Sequence, residues 1–295
     1  PFAVTPFYLS LMDEQEGPDR ALRAQVLPPP SYVQGMVRAR EHPDGTLDFM
    51  REGDTSPVPL VTRRYPSIAI IKPYNTCPQI CVYCQRNWEI QDAMAPGSLA
   101  SEEDLDRAVG WIRAHPSIHE VLVTGGDPLA MGDGRLRTLL DRLCAIPALD
   151  RVRIGTRTLV TLPCRFTEPL VELLGSYRRP GYREIAVVTH VQHPYELNLD
   201  LVHAVDRLRR AGIPVYNQLV YTFHVSRRFE ATLLRRLLRR AGIDPYYTFS
   251  AKGKEETAEY RVPVARLLQE QKEEARILPG LARTDECVVN VPGLG

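Results

Sequence analysis

The chain lacks long hydrophobic runs: nowhere in its 295 residues do apolar side chains continue for the ~18 positions of a membrane-crossing helix. Its first thirteen residues, Pro1 to Asp13, also lack the basic-then-apolar layout of a secretory signal. Both absences predict a soluble, cytoplasmic protein. There is no excess of either charge, since 37 Lys+Arg against 36 Asp+Glu leave +1, so no global field draws the chain to nucleic acid or an anionic membrane. Cysteine is scarce, six in all, too few for a disulfide scaffold in a chain long enough to bury its own core. No internal repeat or low-complexity tract is visible. A start at Pro1 without Met reads as a trimmed beginning.

Proline is plentiful, 25 residues, and early prolines divide the chain. Through residue 62, Pro28, Pro29, Pro30, Pro43, Pro57 and Pro59 interrupt every periodic stretch except a short helical pattern over 32–40. This part predicts an irregular, partly helical N-terminal extension packed on the main domain, anchored by Phe2, Phe7, Tyr8, Leu9, Leu11 and Met12. From residue 63 to 295, short β-rich runs alternate with amphipathic stretches. Strands are predicted at 67–72, 120–124, 152–155, 184–189, 214–220, 246–250 and 286–291, and helices at 101–114, 134–145, 167–176, 197–211, 229–241 and 263–275. Ser101 ahead of Glu102, Glu103 and Asp104 is a helix start, and Gly212 and Gly242 are helix stops. Strands apolar on both faces and separated by helices predict a parallel α/β sheet, either open and doubly wound or curled into a full or partial barrel. In each case chemistry belongs at the strands' C-terminal ends.

There the cysteines gather. Cys77, Cys81 and Cys84 follow the first predicted strand with the spacing Cys-x3-Cys-x2-Cys. Three thiolates on one loop suit three irons of a [4Fe–4S] cube with a fourth iron left open. Structural zinc would need a fourth ligand, and buried free thiols are the bland alternative. The other three, Cys144, Cys164 and Cys287, are expected as small buried residues.

With Tyr83 immediately before the last cysteine and Gly125-Gly126-Asp127 closing the next strand, the loop resembles the signature of the radical S-adenosylmethionine (SAM) superfamily. Most of the chain is similar to its lysine 2,3-aminomutase family, through runs such as Arg153 to Thr158, Thr189 to Pro194, Asn217-Gln218, Pro245 to Tyr247 and Val289 to Gly293. The resemblance implies a partial (β/α)6 barrel, a [4Fe–4S] cluster and SAM. It also implies pyridoxal phosphate (PLP) and migration of an amino group between adjacent carbons of an amino acid. On the same basis Tyr83, Gly125, Gly126, Asp127, Thr156, Arg157, His190 and Gln192 are expected around SAM. His193 and Asn217 would share that rim, Arg86 would clamp the substrate α-carboxylate, and Arg64 and Gln218 would touch PLP. A second arginine that the family often carries near the PLP phosphate is Ile68 here.

Lysine-specific members place two aspartates against the substrate's distal ammonium, and the corresponding positions here read Lys252 and Asn290. A lysine facing a carboxylate makes a charge-assisted pair, whereas facing an ammonium it repels. The pattern resembles glutamate 2,3-aminomutase and implies L-glutamate as substrate and 3-aminoglutarate as product. The PLP lysine is expected just after Gly295, so the chain reads as ending ahead of it. Expected partners are the amino acid and an external one-electron reductant of flavodoxin or ferredoxin type, with a second copy of the chain left open and no nucleic acid or membrane. The rival readings are a lysine 2,3-aminomutase, a radical SAM enzyme without PLP, and a non-catalytic iron–sulfur electron carrier.

Overall fold

The computed structural model describes residues 2–14, 17–41, 48–86, 89–90, 93–227, 229–251 and 254–291. Among these, eight strands form one open sheet in the order β1 to β8. Its strands are β1 (Val61–Tyr65), β2 (Ile68–Tyr74), β3 (Glu120–Gly125), β4 (Arg151–Gly155), β5 (Glu184–Thr189), β6 (Val215–Tyr221), β7 (Ile243–Ser250) and β8 (Glu286–Val288). β1 runs antiparallel to β2, and every later neighbour is parallel. The sheet is unclosed and, from β2 onward, parallel with helical crossovers, the α/β arrangement that the sequence pattern predicts.

The crossovers are helical: α4 (Glu102–Arg113), α5 (Asp133–Cys144), a single turn α6 (Thr158–Thr161) followed by α7 (Glu168–Ser176), α8 (Leu199–Arg210), α9 (Glu230–Arg240) and α10 (Val264–Glu274). Local chemistry sets their ends. Ser101 Oγ accepts the Asp104 N–H at 3.1 Å and three acidic residues fill the first turn of α4. Gly212 and Gly242 take φ of +73° and +81° just past α8 and α9, a conformation costly for other residues. Leu105, Ala108, Val109 and Ile112 form the buried stripe of α4 and join the core that holds Ala69 and Ile71 of β2. Each such aliphatic residue contributes roughly 1.5–3 kcal/mol on full burial.

Three features differ from expectation. β1 lies at 61–65, across the expected boundary at 62/63, where no strand is predicted, and it pairs with the edge of β2. Strands β2, β3 and β6 alternate buried with half-buried residues instead of being apolar throughout. The half-buried positions include the polar residues Lys72, Thr124 and Gln218 beside aliphatic ones. Cys164 is exposed because it sits in a short turn after Pro163, while Cys144 and Cys287 pack partly buried against the core.

The N-terminal segment adds α1 (Pro6–Leu9), α2 (Arg20–Val26) and α3 (Pro30–Glu41). Tyr8, Leu22 and Val26 join the main core, whereas Phe2 and Leu9 are exposed. No helix among the described residues is long and apolar enough to cross a membrane.

Candidate active site

The loop after β2 carries the three cysteines over the C-terminal end of the sheet, and the N-terminal segment pins it there. Ile80 N–H donates to Ala3 O at 3.0 Å and Val82 N–H to Gln25 O at 2.8 Å. Beneath it, Gly126 N–H donates to Tyr74 O at 2.9 Å and Asp127 N–H to Thr76 O at 2.8 Å. A Cβ on Gly126 would lie 2.1 Å from the Thr76 oxygen, and one on Gly125, which takes φ +113°, would lie 3.0 Å from Lys72 Cβ. The glycine pair is therefore required for the cysteine loop to sit directly on the end of β3, besides any closeness to a ligand.

Asp127 is buried and both its oxygens are committed. Oδ1 accepts from Thr156 Oγ1 at 2.6 Å and Leu129 N–H at 3.1 Å, and Oδ2 accepts from the Arg157 and Thr158 N–H groups at 2.8 Å each. It ties β3 to the turn after β4. Thr156 and Arg157 are thereby placed under the cysteine loop.

Arg157 reaches four partners. Its Nη1 lies 2.6 Å from Cys81 Sγ, and its Nη2 donates to Glu196 Oε1 at 2.9 Å, to Tyr8 Oη at 3.2 Å and to Gln25 Oε1. Glu196 is fully buried and also accepts from Tyr8 Oη at 2.6 Å, Gln25 Nε2 at 3.0 Å and the Gln192 and His193 N–H groups at 2.5 and 3.2 Å. Burial pushes the Glu196 carboxyl up, yet Arg157 and these donors outweigh it and hold the group below its ordinary value. Arg157 is likewise held charged despite burial, by Cys81, Tyr8 and Glu196.

Tyr83 lies edge-on to His190, with its hydroxyl 3.0 Å from both His190 Nε2 and Gln25 Oε1. Burial and then Arg157 lower the His190 pKa to about 4, so the ring is neutral near pH 7. Nδ1 lies 2.5 Å from Gln218 O, which requires its proton there and leaves Nε2 an acceptor that shares the single Tyr83 hydroxyl proton with Gln25 Oε1. Two side-chain amides lock β5 to β6: Gln192 pairs with both backbone groups of Val220 (2.5 and 3.2 Å), and Asn217 with both of Val191 (2.7 and 3.0 Å). His193 instead stays buried and faces Glu230 at 3.9 Å.

Arg86 is buried behind Cys84 and already grips a carboxylate, with Nε 3.2 Å from Glu52 Oε1 and Nη2 2.8 Å from Oε2. Lys72 stands 3.8 Å from Glu52 and 3.4 Å from Glu89. Arg64 on β1 donates to Met50 O at 2.6 Å, with four strands between it and Gln218 on β6. Asn290 is half-buried just past β8, and Lys252 lies outside the described residues.

Burial raises the Cys77 and Cys84 thiols, and neighbouring thiols raise them further, so the cysteines sense one another. Yet no three His, Cys, Asp or Glu side chains among the described residues converge on a single ion. Thiolates that each bind a different iron of a cube need no such convergence. The guanidinium on Cys81 and the Arg86 N–H on Cys84 Sγ (3.4 Å) suit anionic sulfur, so the loop fits an iron–sulfur cluster. For PLP the described residues do not build a site, since Arg64 and Gln218 stay apart and no lysine is placed to anchor it. A cleft of about 730 Å³ opens at the opposite end of the sheet, lined by Arg151, Arg178, Arg183, Glu184 and Arg209, away from all of these groups.

A family model described as the radical SAM superfamily matches residues 71–235, from β2 into α9. The chain belongs to the radical SAM superfamily. Among curated relatives of this radical SAM protein, an uncharacterized KamA family protein of Methanocaldococcus jannaschii is 49% identical over 100% of this chain and 47% of its own length. Glutamate 2,3-aminomutase of Clostridioides difficile is 35% identical over 89% of the chain and 59% of its own length. L-lysine 2,3-aminomutase of Bacillus subtilis is 31% identical over 91% and 54%. The chain thus spans about half the length of these relatives. Streptococcus suis SuiB, solved with S-adenosylmethionine, shares the fold at a TM-score of 0.55 and 16% identity, over 97% of this chain and 59% of SuiB.

Tyr8, Gln25, Glu52 and Glu196 are site residues that sequence reasoning passes over. Only Glu196 leaves a local trace: His193-Pro194-Tyr195-Glu196 has a capping-box layout, with proline entering the turn and an acid at its third position.

Proposed function

We propose that the chain is the radical SAM part of an amino acid 2,3-aminomutase, an isomerase, acting on L-glutamate to give 3-aminoglutarate. Similarity to aminomutases of glutamate and of lysine supports the reaction class. The observation that carries the reading is the convergence of three cysteines, the Gly-Gly-Asp turn and a buried carboxylate-gripping arginine at one end of the sheet. Glutamate is favoured by the cation and amide at Lys252 and Asn290, which suit a distal carboxylate better than an ammonium.

In this reading Cys77, Cys81 and Cys84 hold a [4Fe–4S] cluster, and Tyr83, Gly125, Gly126, Thr156, His190 and Gln192 border SAM, with Asp127 and Arg157 supporting them from below. When bound, the cluster and SAM supply hydrogen-atom abstraction from the substrate, with the electron coming from an external one-electron donor. Arg86 presents a planar fork to the α-carboxylate, which takes or shares the place of Glu52. His190, neutral and fixed by Gln218, keeps the Tyr83 hydroxyl oriented. The amide pairs of Gln192 and Asn217 hold the β5–β6 rim rigid. PLP is carried over from the aminomutase relatives alone, because Arg64 on β1 and Gln218 on β6 stand too far apart in the sheet to hold it together.

The test is anaerobic reconstitution of the intact protein with SAM, PLP and reductant, followed by product analysis. The expected result is 3-aminoglutarate from glutamate, with Lys252→Asp weakening that turnover. Formation of β-lysine from lysine with no product from glutamate would overturn the substrate assignment.

A further inference from the structure

Cys81 differs from its two companions in what faces its sulfur. Cys84 receives a backbone N–H, from Arg86 at 3.4 Å, and Cys77 feels the nearby Asp127 carboxylate. Cys81 receives a guanidinium, Arg157 Nη1 at 2.6 Å. That guanidinium has little freedom to move. Glu196 and Tyr8 take its other terminal nitrogen at 2.9 and 3.2 Å, Gln25 accepts from the same nitrogen, and the Tyr8 ring lies 5.3 Å from its central carbon. Tyr8, Gln25 and Glu196 are all at most 2% exposed. Two of these three come from the N-terminal segment, before the barrel begins.

We propose that Arg157 sets the reduction potential of the cluster, and that Tyr8, Gln25 and Glu196 are positioning residues that hold its positive charge against Cys81. The inference rests on the reading that the three cysteines bind a [4Fe–4S] cluster. Reduction adds one electron from an external low-potential donor and changes no bond or proton, so the cluster and its thiolates become one unit more negative. A cationic hydrogen-bond donor on a ligating sulfur stabilises the more negative state and raises the potential. Glu196 faces the nitrogen away from the sulfur, so the pair presents its positive end to Cys81. The N-terminal segment thereby has a redox role beyond covering the barrel.

The experiment compares wild type, Arg157→Gln and Arg157→Lys, reconstituted anaerobically without SAM, by iron and sulfide analysis and by dithionite titration followed by EPR. Arg157→Gln is expected to disfavour reduction about tenfold, a midpoint lower by ~60 mV for one electron. Arg157→Lys should recover part of that shift. A full cluster in Arg157→Gln with the wild-type midpoint would overturn the inference alone, whereas wild type without iron would overturn the cluster reading and this inference with it. Should Arg157→Gln hold no iron, wild type carrying ¹⁵N in its arginine guanidinium groups decides. A ¹⁵N coupling in the pulsed EPR of the reduced cluster is expected, and its absence would overturn the contact.

Discussion

At the N-terminal ends of the strands Arg151 bridges Glu120 at 2.9 Å and Glu184 at 2.5 Å, with its side chain 45% exposed. At the C-terminal ends Arg157 meets Glu196 at 2.9 Å, with 11% and 0% exposed. The chemistry is alike and the distances are alike. Water makes the difference: the outer ladder is screened and worth ~0–1 kcal/mol per pair, while the inner pair has lost its solvent and depends on every donor around it. The outer end is a solvated rim with a broad cleft, and the inner end is a buried network in which most polar atoms are paired, Arg157 Nε and Thr158 Oγ1 being exceptions.

The contrast breaks most completely at the cysteines. Cys81→Ser is expected to abolish cluster assembly, seen as loss of bound iron and sulfide after reconstitution, whereas Cys164→Ser, an exposed thiol in a turn, should leave both unchanged. Next comes Glu196→Ala, which strands Arg157 and four other donors. Breaking a buried pair costs about 3–5 kcal/mol, to be read from denaturant unfolding.

A pH series sharpens the same contrast. The His190 pKa falls to about 4 on folding, below the roughly 6.5 of an unfolded histidine, so the unfolded chain binds the extra proton in between. His190 therefore contributes stability that is present above about 6.5 and is lost as pH falls toward 4, with a slope near 1.4 kcal/mol per pH unit in that window. Unfolding curves across the window should show this slope in wild type and a shallower one in His190→Gln. The smallest effect belongs to the outer end: Glu184→Ala should change stability by at most about 1 kcal/mol, and less in high salt.

The strands and crossover helices were legible because burial imposes a period on the sequence, and the caps at Ser101, Gly212 and Gly242 mark their ends. β1 was not, since Val61 to Tyr65 reads as one short run among prolines and becomes a strand only against the edge of β2. The cysteine loop and the Gly-Gly-Asp turn could be read because their spacing is local. Tyr8, Gln25, Glu52 and Glu196 could not, because nothing near them in sequence shows that they meet Arg157 and Arg86 across the fold. Asp127 shows the opposite case: its motif is visible, but its work as a tie between β3 and β4 emerges only from its four partners.

The central claim is that Cys77, Cys81 and Cys84 hold a [4Fe–4S] cluster with an iron open to SAM. EPR of the reduced, anaerobically reconstituted protein with and without SAM tests it most directly. Matched iron and sulfide and a cluster signal that changes when SAM is added are the expected result. Zinc in place of iron, or a cluster signal indifferent to SAM, would contradict it.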